Sequence, residues 1–331
     1  MPHCVKNGWS AENAEVVLNV LQMDITIDKN TDGKVLRDYL KYDLGFSRGI
    51  ITRLKGLKEG IVLNGERVTV RAVLHEGDCL SLACEDSASE VNPCITPSNT
   101  PIDVIYEDDN IVAVNKPCGM PTHPSFNHAN DSLANAVVGY YARSGCPFVF
   151  RAVNRLDLDT GGIVLIAKNR LASHKLSLEL RERGFGKCYI AVLDGIPSQK
   201  NGEIKNYIVR CGDSIITRRV SDIEDGDFAH TVYRTVAEKN GRAVVAAFPV
   251  TGRTHQLRVH FSHIGTPILG DGLYGDRNTA ARLMLHALSL TFTLPGNSKR
   301  VTLTAPLPAE FSEFIENTNN LNPFLEISNE I

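Results

Sequence analysis

The stretch Asn154-Arg155-Leu156-Asp157-Leu158-Asp159-Thr160-Gly161-Gly162 runs straight into Ile163, Val164, Leu165, Ile166 and Ala167, and it constrains this chain more than any other segment. Five successive apolar residues behind a polar loop have the length of a buried central strand. The loop carries an arginine two residues before an acid and ends on a threonine and two glycines. Glycine reaches backbone shapes closed to other residues and lets a second backbone or a ligand come close. The pattern describes a carboxylate, Asp157, held on a tight loop at the edge of a buried strand. Taken alone, it equally describes a polar loop capped by an aspartate.

At 331 residues the chain has room for two domains. Residues 86–101 concentrate Ser, Asn and Pro without apolar periodicity. Proline fixes φ and removes a backbone donor, so this is an extended linker. The expected division is a region 1–85, the linker 86–101, a larger domain 102–316 and a polar, Asn-rich tail 317–331 without fixed order.

In the first region, Val35, Leu36, Tyr39 and Leu40 share a helical face that Gly45 stops, and Ser47 caps a second helix bearing Ile50, Leu54 and Leu57. Asn64-Gly65 tolerates the positive φ of a tight hairpin between residues 61–63 and 66–70, and residues 79–83 add a strand. In the larger domain, residues 104–106 and 111–114 form a hairpin, residues 131–142 a helix, and Asn169 caps a helix over 170–183 that Gly184 ends. Strands are expected at 187–193, 203–209, 231–237, 243–249 and 255–261. Many strands and few helices give an α+β domain around a large, mainly antiparallel mixed sheet.

Two further motifs flank the Asp157 loop in sequence. One is Val114-Asn115-Lys116-Pro117-Cys118-Gly119-Met120-Pro121-Thr122-His123-Pro124. The other is Gly252-Arg253-Thr254-His255-Gln256-Leu257-Arg258-Val259-His260, continued by Gly265-Thr266-Pro267-Ile268-Leu269-Gly270-Asp271-Gly272-Leu273-Tyr274-Gly275. In order and spacing the three motifs resemble the RluA-type family of RNA pseudouridine synthases, over about residues 101–316. The chain departs from the family at two positions, carrying Asn154 where His is frequent and Gly161 where Ser is frequent. In residues 32–83, Ser47-Arg48, Leu54-Lys55, Val62-x-Asn64-Gly65 and Gly77-Asp78 resemble the small alpha-L RNA-binding fold.

The first resemblance implies a pseudouridine synthase fold, no cofactor and no metal. The isomerisation breaks a glycosidic carbon–nitrogen bond, turns the uracil and rejoins it through a ring carbon, and exchanges no group or electron with anything else. Carried onto matching positions, it implies three catalytic residues. Asp157 is the nucleophile or base, and Tyr189 stacks on the uracil and offers a hydroxyl. Arg258, placed on a strand, pairs with Asp157 and keeps it charged, because a buried lone carboxylate drifts toward its neutral form. Arg155 fills the space left by the flipped nucleotide. Lys116, Arg253 and His255 are expected at the RNA, as are Arg48, Arg53, Lys55 and Lys58 of the small module. There, Arg67 and Arg71 complete six basic residues between 45 and 71 against Glu59 and Glu66. Asp159 matches no nucleophile position.

Other readings are weaker. Gly270–Gly275 satisfies GxGxxG, but Pro267 precedes it and no βαβ unit surrounds it, so no dinucleotide site is expected. His255, His260 and His263 lack an acidic or cysteine ligand at zinc-like spacing, and on a strand His255 and His260 would face opposite ways. Cys118 stands beside a cation but has no base, so it is a packing residue. Eight cysteines without a CxxC pair, a polar N-terminal decapeptide and no apolar run of membrane length suggest reduced thiols in the cytoplasm. A net charge of −3 means that RNA must be met by local basic patches. The expected partner is structured ribosomal or transfer RNA, bound by a monomer. The alternative function is a catalytically silent RNA-binding or ribosome-assembly protein.

Overall fold

The structure, a computed structural model, describes residues 22–83, 92–212, 214, 216–221, 223–297, 299–315 and 321–327. Residues 22–83 form a small four-stranded sheet in the order β1-β4-β2-β3, built from β1 (Gln22–Thr26), β2 (Ile61–Leu63), β3 (Glu66–Arg67) and β4 (Cys79–Ala83). Asn64 (φ 53°) and Gly65 (φ 83°) make the expected tight turn between β2 and β3. The first helix departs from expectation. It is a short α1 (Leu36–Asp38) that widens into a π-helical turn, Tyr39–Asp43, before Gly45 (φ 65°) ends it. The Ser47 hydroxyl caps α2 (Arg48–Gly56), accepting from the Ile50 amide at 3.3 Å. Leu36, Leu40, Leu54, Leu74, Leu80 and Leu82 close a core of their own. β1 was not foreseen; it is short, and its partner β4 lies more than fifty residues away.

The larger domain is a sheet in the order β10-β9-β11-β12-β8-β13-β7-β6-β5, with β14 on β13. The strands are β5 (Asp103–Glu107), β6 (Ile111–Lys116), β7 (Gly161–Ala167), β8 (Gly186–Leu193), β9 (Asn201–Arg210), β10 (Arg218–Ser221), β11 (Asp227–Lys239), β12 (Arg242–Pro249), β13 (Leu285–Thr293) and β14 (Arg300–Thr304). β13 pairs parallel with β7, and the other pairings are antiparallel. β7 is buried along its whole length, as its run of five apolar residues foretold. Gly162 is required where β7 meets β13. It sits at φ 116°, and a Cβ there would lie 2.2 Å from the Ala287 carbonyl oxygen.

Ser132 caps α3 (Leu133–Ala142) and Asn169 caps α4 (Arg170–Arg181), the Asn169 side chain accepting from the Ala172 amide at 2.8 Å. α4 ties the two domains together. Leu171 joins the small domain's core, and His174 donates to the Leu44 carbonyl at 3.0 Å and meets the Phe46 ring edge-on at 5.2 Å. The described part of the linker, residues 92–101, has neither helix nor strand, and Asn135 of α3 donates to its Thr96 carbonyl at 2.8 Å.

Two expectations are corrected. Residues 255–261 are not a strand; they belong to a helix, α5 (Gln256–His263). The sequence Gln-Leu-Arg-Val-His-Phe alternates polar and apolar with period two, which normally marks a strand with one wet face. Here all six residues are buried, so the polar ones act as internal clasps and not as a solvent face. The tail also carries structure, since Leu321 is buried in the main core, α6 (Asn322–Ile327) follows it, and Phe324 and Leu325 pack against that core.

Candidate active site

The Asp157 loop is clamped by the Lys116–Thr122 segment from below. Thr122 donates its hydroxyl proton to the Leu156 carbonyl at 3.0 Å and accepts from the Leu156 amide at 3.2 Å. On the other side of Asp157, the Leu158 carbonyl accepts from the Gly119 amide at 2.9 Å and from the Lys116 ammonium at 3.3 Å. Lys116 also donates to the carbonyls of Pro117 and Met120, at 2.9 and 2.5 Å, and Cys118 donates its thiol proton to the Asp159 carbonyl at 2.9 Å. Asn154 fastens the start of the loop to β7, donating to Ile163 O at 3.1 Å and accepting from Leu165 N at 2.8 Å. With both neighbours of Asp157 fixed through their backbones, its own carboxylate is left to face the cleft. It makes no hydrogen bond or ion pair among the described residues.

Lys116 therefore lies apart from where it was expected. It is 1% exposed and does not line the cleft, so direct RNA contact is replaced by support of the loop. Burial pulls its pKa down from 10.5 to about 8, against the opposing pull of Cys118, Asp157 and Asp159.

Above the loop lies a cavity of about 560 Å³ between β8, the end of α4 and the segment leading into α5. Asp157 is the single carboxylate in its lining, against Arg155, Arg181, Arg183, Lys187, Arg253 and Arg258. The segment before α5 is built by Gln256, whose amide makes four hydrogen bonds. Its oxygen accepts from the Thr251 hydroxyl at 2.7 Å and the Arg253 amide at 3.0 Å, and its nitrogen donates to His230 O at 2.9 Å and Thr231 Oγ1 at 3.0 Å. Arg253 itself donates to the Phe228 carbonyl at 3.0 Å. The first turn of α5 thus lines the cleft, where the positive end of the helix favours negative charge.

Arg258 does not pair directly with Asp157, as had been expected. Its Nε and Nη2 grip Asp271 at 2.8 and 2.6 Å, with both side chains 4% or less exposed. Burial lowers the Arg258 pKa, but the hydrogen bonds and charge of Asp271, joined by the charge of Asp157, overcome it and leave it raised. Asp271 also accepts from the amides of Leu273 and Tyr274 at 2.9 and 3.1 Å, and the Tyr274 ring lies 5.3 Å from the Arg258 guanidinium carbon. The GDGLYG segment is therefore the cradle of Arg258.

Tyr189 stands on β8 against Asp157. Burial, then the Asp157 charge, pushes its hydroxyl pKa well up, so it stays a phenol that can donate a proton. His255 begins α5 in the left-handed region at φ 58°. Its Nδ1 meets the Tyr274 hydroxyl at 2.7 Å, and burial keeps its pKa low in spite of the Asp157 charge. His260 instead packs inward, its Nδ1 meeting the Thr231 hydroxyl at 2.9 Å, so the two histidines are separately engaged. Arg155 is exposed at the rim of the cleft, where its charge helps burial to depress the pKa of His123. Arg48, Arg53 and Lys55 are on α2 of the small domain, Lys58 lies in the turn just after it, and none of the four lines the cleft. Sequence reasoning missed Thr122, Gln256, Asp271, Tyr274 and the cations of α4 and β8. The nearest signal was the repeated appearance of polar residues inside otherwise apolar stretches.

The arrangement offers a lone carboxylate and a phenol at the floor of a cationic cleft, suited to a polyanion that presents one reactive unit. A family model described as RNA pseudouridylate synthase matches residues 110–263. Among curated proteins, the RNA pseudouridine synthase YjbO of Bacillus subtilis is 36% identical over 84% of this chain and 97% of its own. Ribosomal large subunit pseudouridine synthase D of Borreliella burgdorferi is 31% identical over 76% of this chain and 78% of its own. Among solved structures, human RNA pseudouridylate synthase domain containing 1 shares the fold, with TM-score 0.58 and 24% identity over 69% of this chain and 96% of that one.

Proposed function

Because this chain belongs to the family of RNA pseudouridine synthases, which isomerise uridine to pseudouridine in RNA, we propose that Asp157 is the carboxylate that attacks the ribose or takes a proton from it. The single observation that carries this reading is the position of that carboxylate. It is the one acid of a cleft lined by six Arg and Lys side chains, and its charge acts on Tyr189, His255 and Arg258 together.

The remaining roles follow from the chemistry. Glycosidic cleavage frees the uracil; the Tyr189 ring holds it by stacking while it turns. The new carbon–carbon bond forms at C5, whose proton is lost, and N1 gains a proton, so the sum is an isomerisation. Arg258, held by Asp271, supplies fixed positive charge near Asp157 without being able to deprotonate. Arg155 at the rim supports the flipped nucleotide, with Arg253 and His255 beside it. The substrate is structured ribosomal or transfer RNA, bound by a cytoplasmic monomer whose small N-terminal domain grips phosphates with Arg48, Arg53 and Lys55 of α2 and with Lys58 in the turn after it. Among the described residues no helix is long and apolar enough to cross a membrane.

Mapping pseudouridines in total RNA from cells with and without this gene tests the reading. One or more ribosomal or transfer RNA sites should lose pseudouridine without it. An identical map in both would leave a silent RNA-binding protein.

A further inference from the structure

Lys187 and Tyr189 are two residues apart on β8 and both line the cleft. Strand geometry sets them about 7 Å apart on one face. Lys187 therefore meets a group beside whatever rests on Tyr189. Next to it a small cavity of about 30 Å³ opens, walled by Leu180, Phe185, Phe248, Pro249 and Val250 together with Arg183. That is room for one or two atoms the size of a water oxygen, and too little for a base.

The Lys187 ammonium is half-buried, with three donors and no hydrogen bond or ion pair among the described residues. No carboxylate lines the small cavity. Burial alone lowers the pKa of Lys187, with no charged neighbour contributing. Asp157 makes no ion pair with it among the described residues. Arg183, at the end of α4, takes the left-handed backbone at φ 61°, uncommon for a residue with a side chain, and lines both the cleft and the small cavity. Lys187, set beside apolar walls without an acceptor among the described residues, is costly to keep charged, because buried charge needs a partner; Arg183, exposed at the mouth of the small cavity, adds a second positive charge. A ligand that brings acceptor oxygens and negative charge removes that cost.

We propose that Lys187 and Arg183 form a binding site for the phosphate adjoining the nucleotide held at Tyr189, with a non-bridging oxygen seated in the small cavity. This rests on the pseudouridine synthase reading of the cleft. The role is substrate positioning and not proton transfer.

The test uses the full chain, its Lys187→Met and Lys187→Arg variants, and substrate RNAs carrying one neutral methylphosphonate linkage on either side of the target uridine. Dissociation constants across a salt series and single-turnover rates at saturating RNA are both read. Lys187→Met should weaken binding about 10-fold or more, as expected for loss of a charge-assisted hydrogen bond, and flatten the log–log salt slope by roughly 0.7 to 0.9. The loss should fall on the dissociation constant and not on the saturated rate, and Lys187→Arg should recover most of it. One of the two neutral linkages should weaken the wild type at least as much, yet cost Lys187→Met clearly less, since only the Arg183 contact then remains to be lost. Unchanged affinity and slope, a lost saturated rate with binding intact, or additive losses for both linkages would each overturn the proposal. A wild type that binds RNA but makes no pseudouridine would sink the functional reading instead, and the binding measurements would still decide Lys187.

Discussion

Asp271→Asn is the most searching perturbation away from the reacting groups. The Asp271 carboxylate is fully buried and accepts four bonds, two from Arg258 and two from the amides of Leu273 and Tyr274. An amide keeps one acceptor oxygen, and in either orientation its NH2 group points donor against donor. Arg258, 3% exposed, is then a buried cation whose only hydrogen-bonded side-chain partner among the described residues has lost its charge. Removing one member of a buried pair costs about 3–5 kcal/mol, which is a large share of a typical total stability of roughly 5–15 kcal/mol. The expected loss in urea unfolding, followed by circular dichroism, is about 4 kcal/mol. A companion variant, Arg258→Met with Asp271→Leu, removes both charges and should fall within about 2 kcal/mol of the wild type or be more stable, while losing activity because no fixed cation remains near Asp157. A cost below about 1 kcal/mol for Asp271→Asn, set against the magnitude for a broken buried pair, would refute the reasoning. So would a double variant no better than the single one.

Three further outcomes are expected. The pKa of Lys116, lowered from 10.5 to about 8, means that the folded state binds its proton less tightly than the unfolded chain, so stability contributed at this site rises as pH climbs from 8 to 10.5. At 1.36 kcal/mol per pH unit, the difference between wild type and Lys116→Met should grow by about 3 kcal/mol across that window, and a flat difference in paired urea titrations would contradict it. Arg155→Ala should slow single turnover on a paired target more than on an unpaired version of the same RNA, because extrusion then costs less; equal losses would leave Arg155 a plain phosphate contact. Replacing Arg48, Lys55 and Lys58 together by Ser should flatten the salt dependence of RNA binding by roughly 2 in log–log slope, and an unchanged slope would remove α2 from the RNA interface.

What the sequence disclosed follows from where each signal lies. Ser47, Asn169 and Asn64-Gly65 act through neighbours three residues away or less, so their caps and turn were legible. The buried strand behind Asp157 was legible because five apolar residues admit little else. α5 was misread because Gln256, Arg258 and His260 are buried polar residues whose partners, Thr251, Asp271 and Thr231, lie in other elements and cannot be seen from a local pattern. The same blindness hid Asp271, whose neighbouring glycines imitate a phosphate loop while its carboxylate holds an arginine. β13, the centre of the sheet, was also unassigned. Its importance comes from pairing with β8, β7 and β14, which is a property of topology and not of its own nine residues.

The central claim is that Asp157 performs the chemistry, and its loop is so thoroughly fixed by Thr122, Lys116 and Asn154 that the side chain can be changed without disturbing its surroundings. Asp157→Asn should therefore leave the unfolding curve within about 0.5 kcal/mol of the wild type, as for a partly exposed side chain without hydrogen bonds. RNA binding should persist. Single-turnover pseudouridine formation on a substrate RNA should be abolished, because an amide can act neither as a charged nucleophile nor as a base. Measurable pseudouridine from the purified, folded variant would contradict the account.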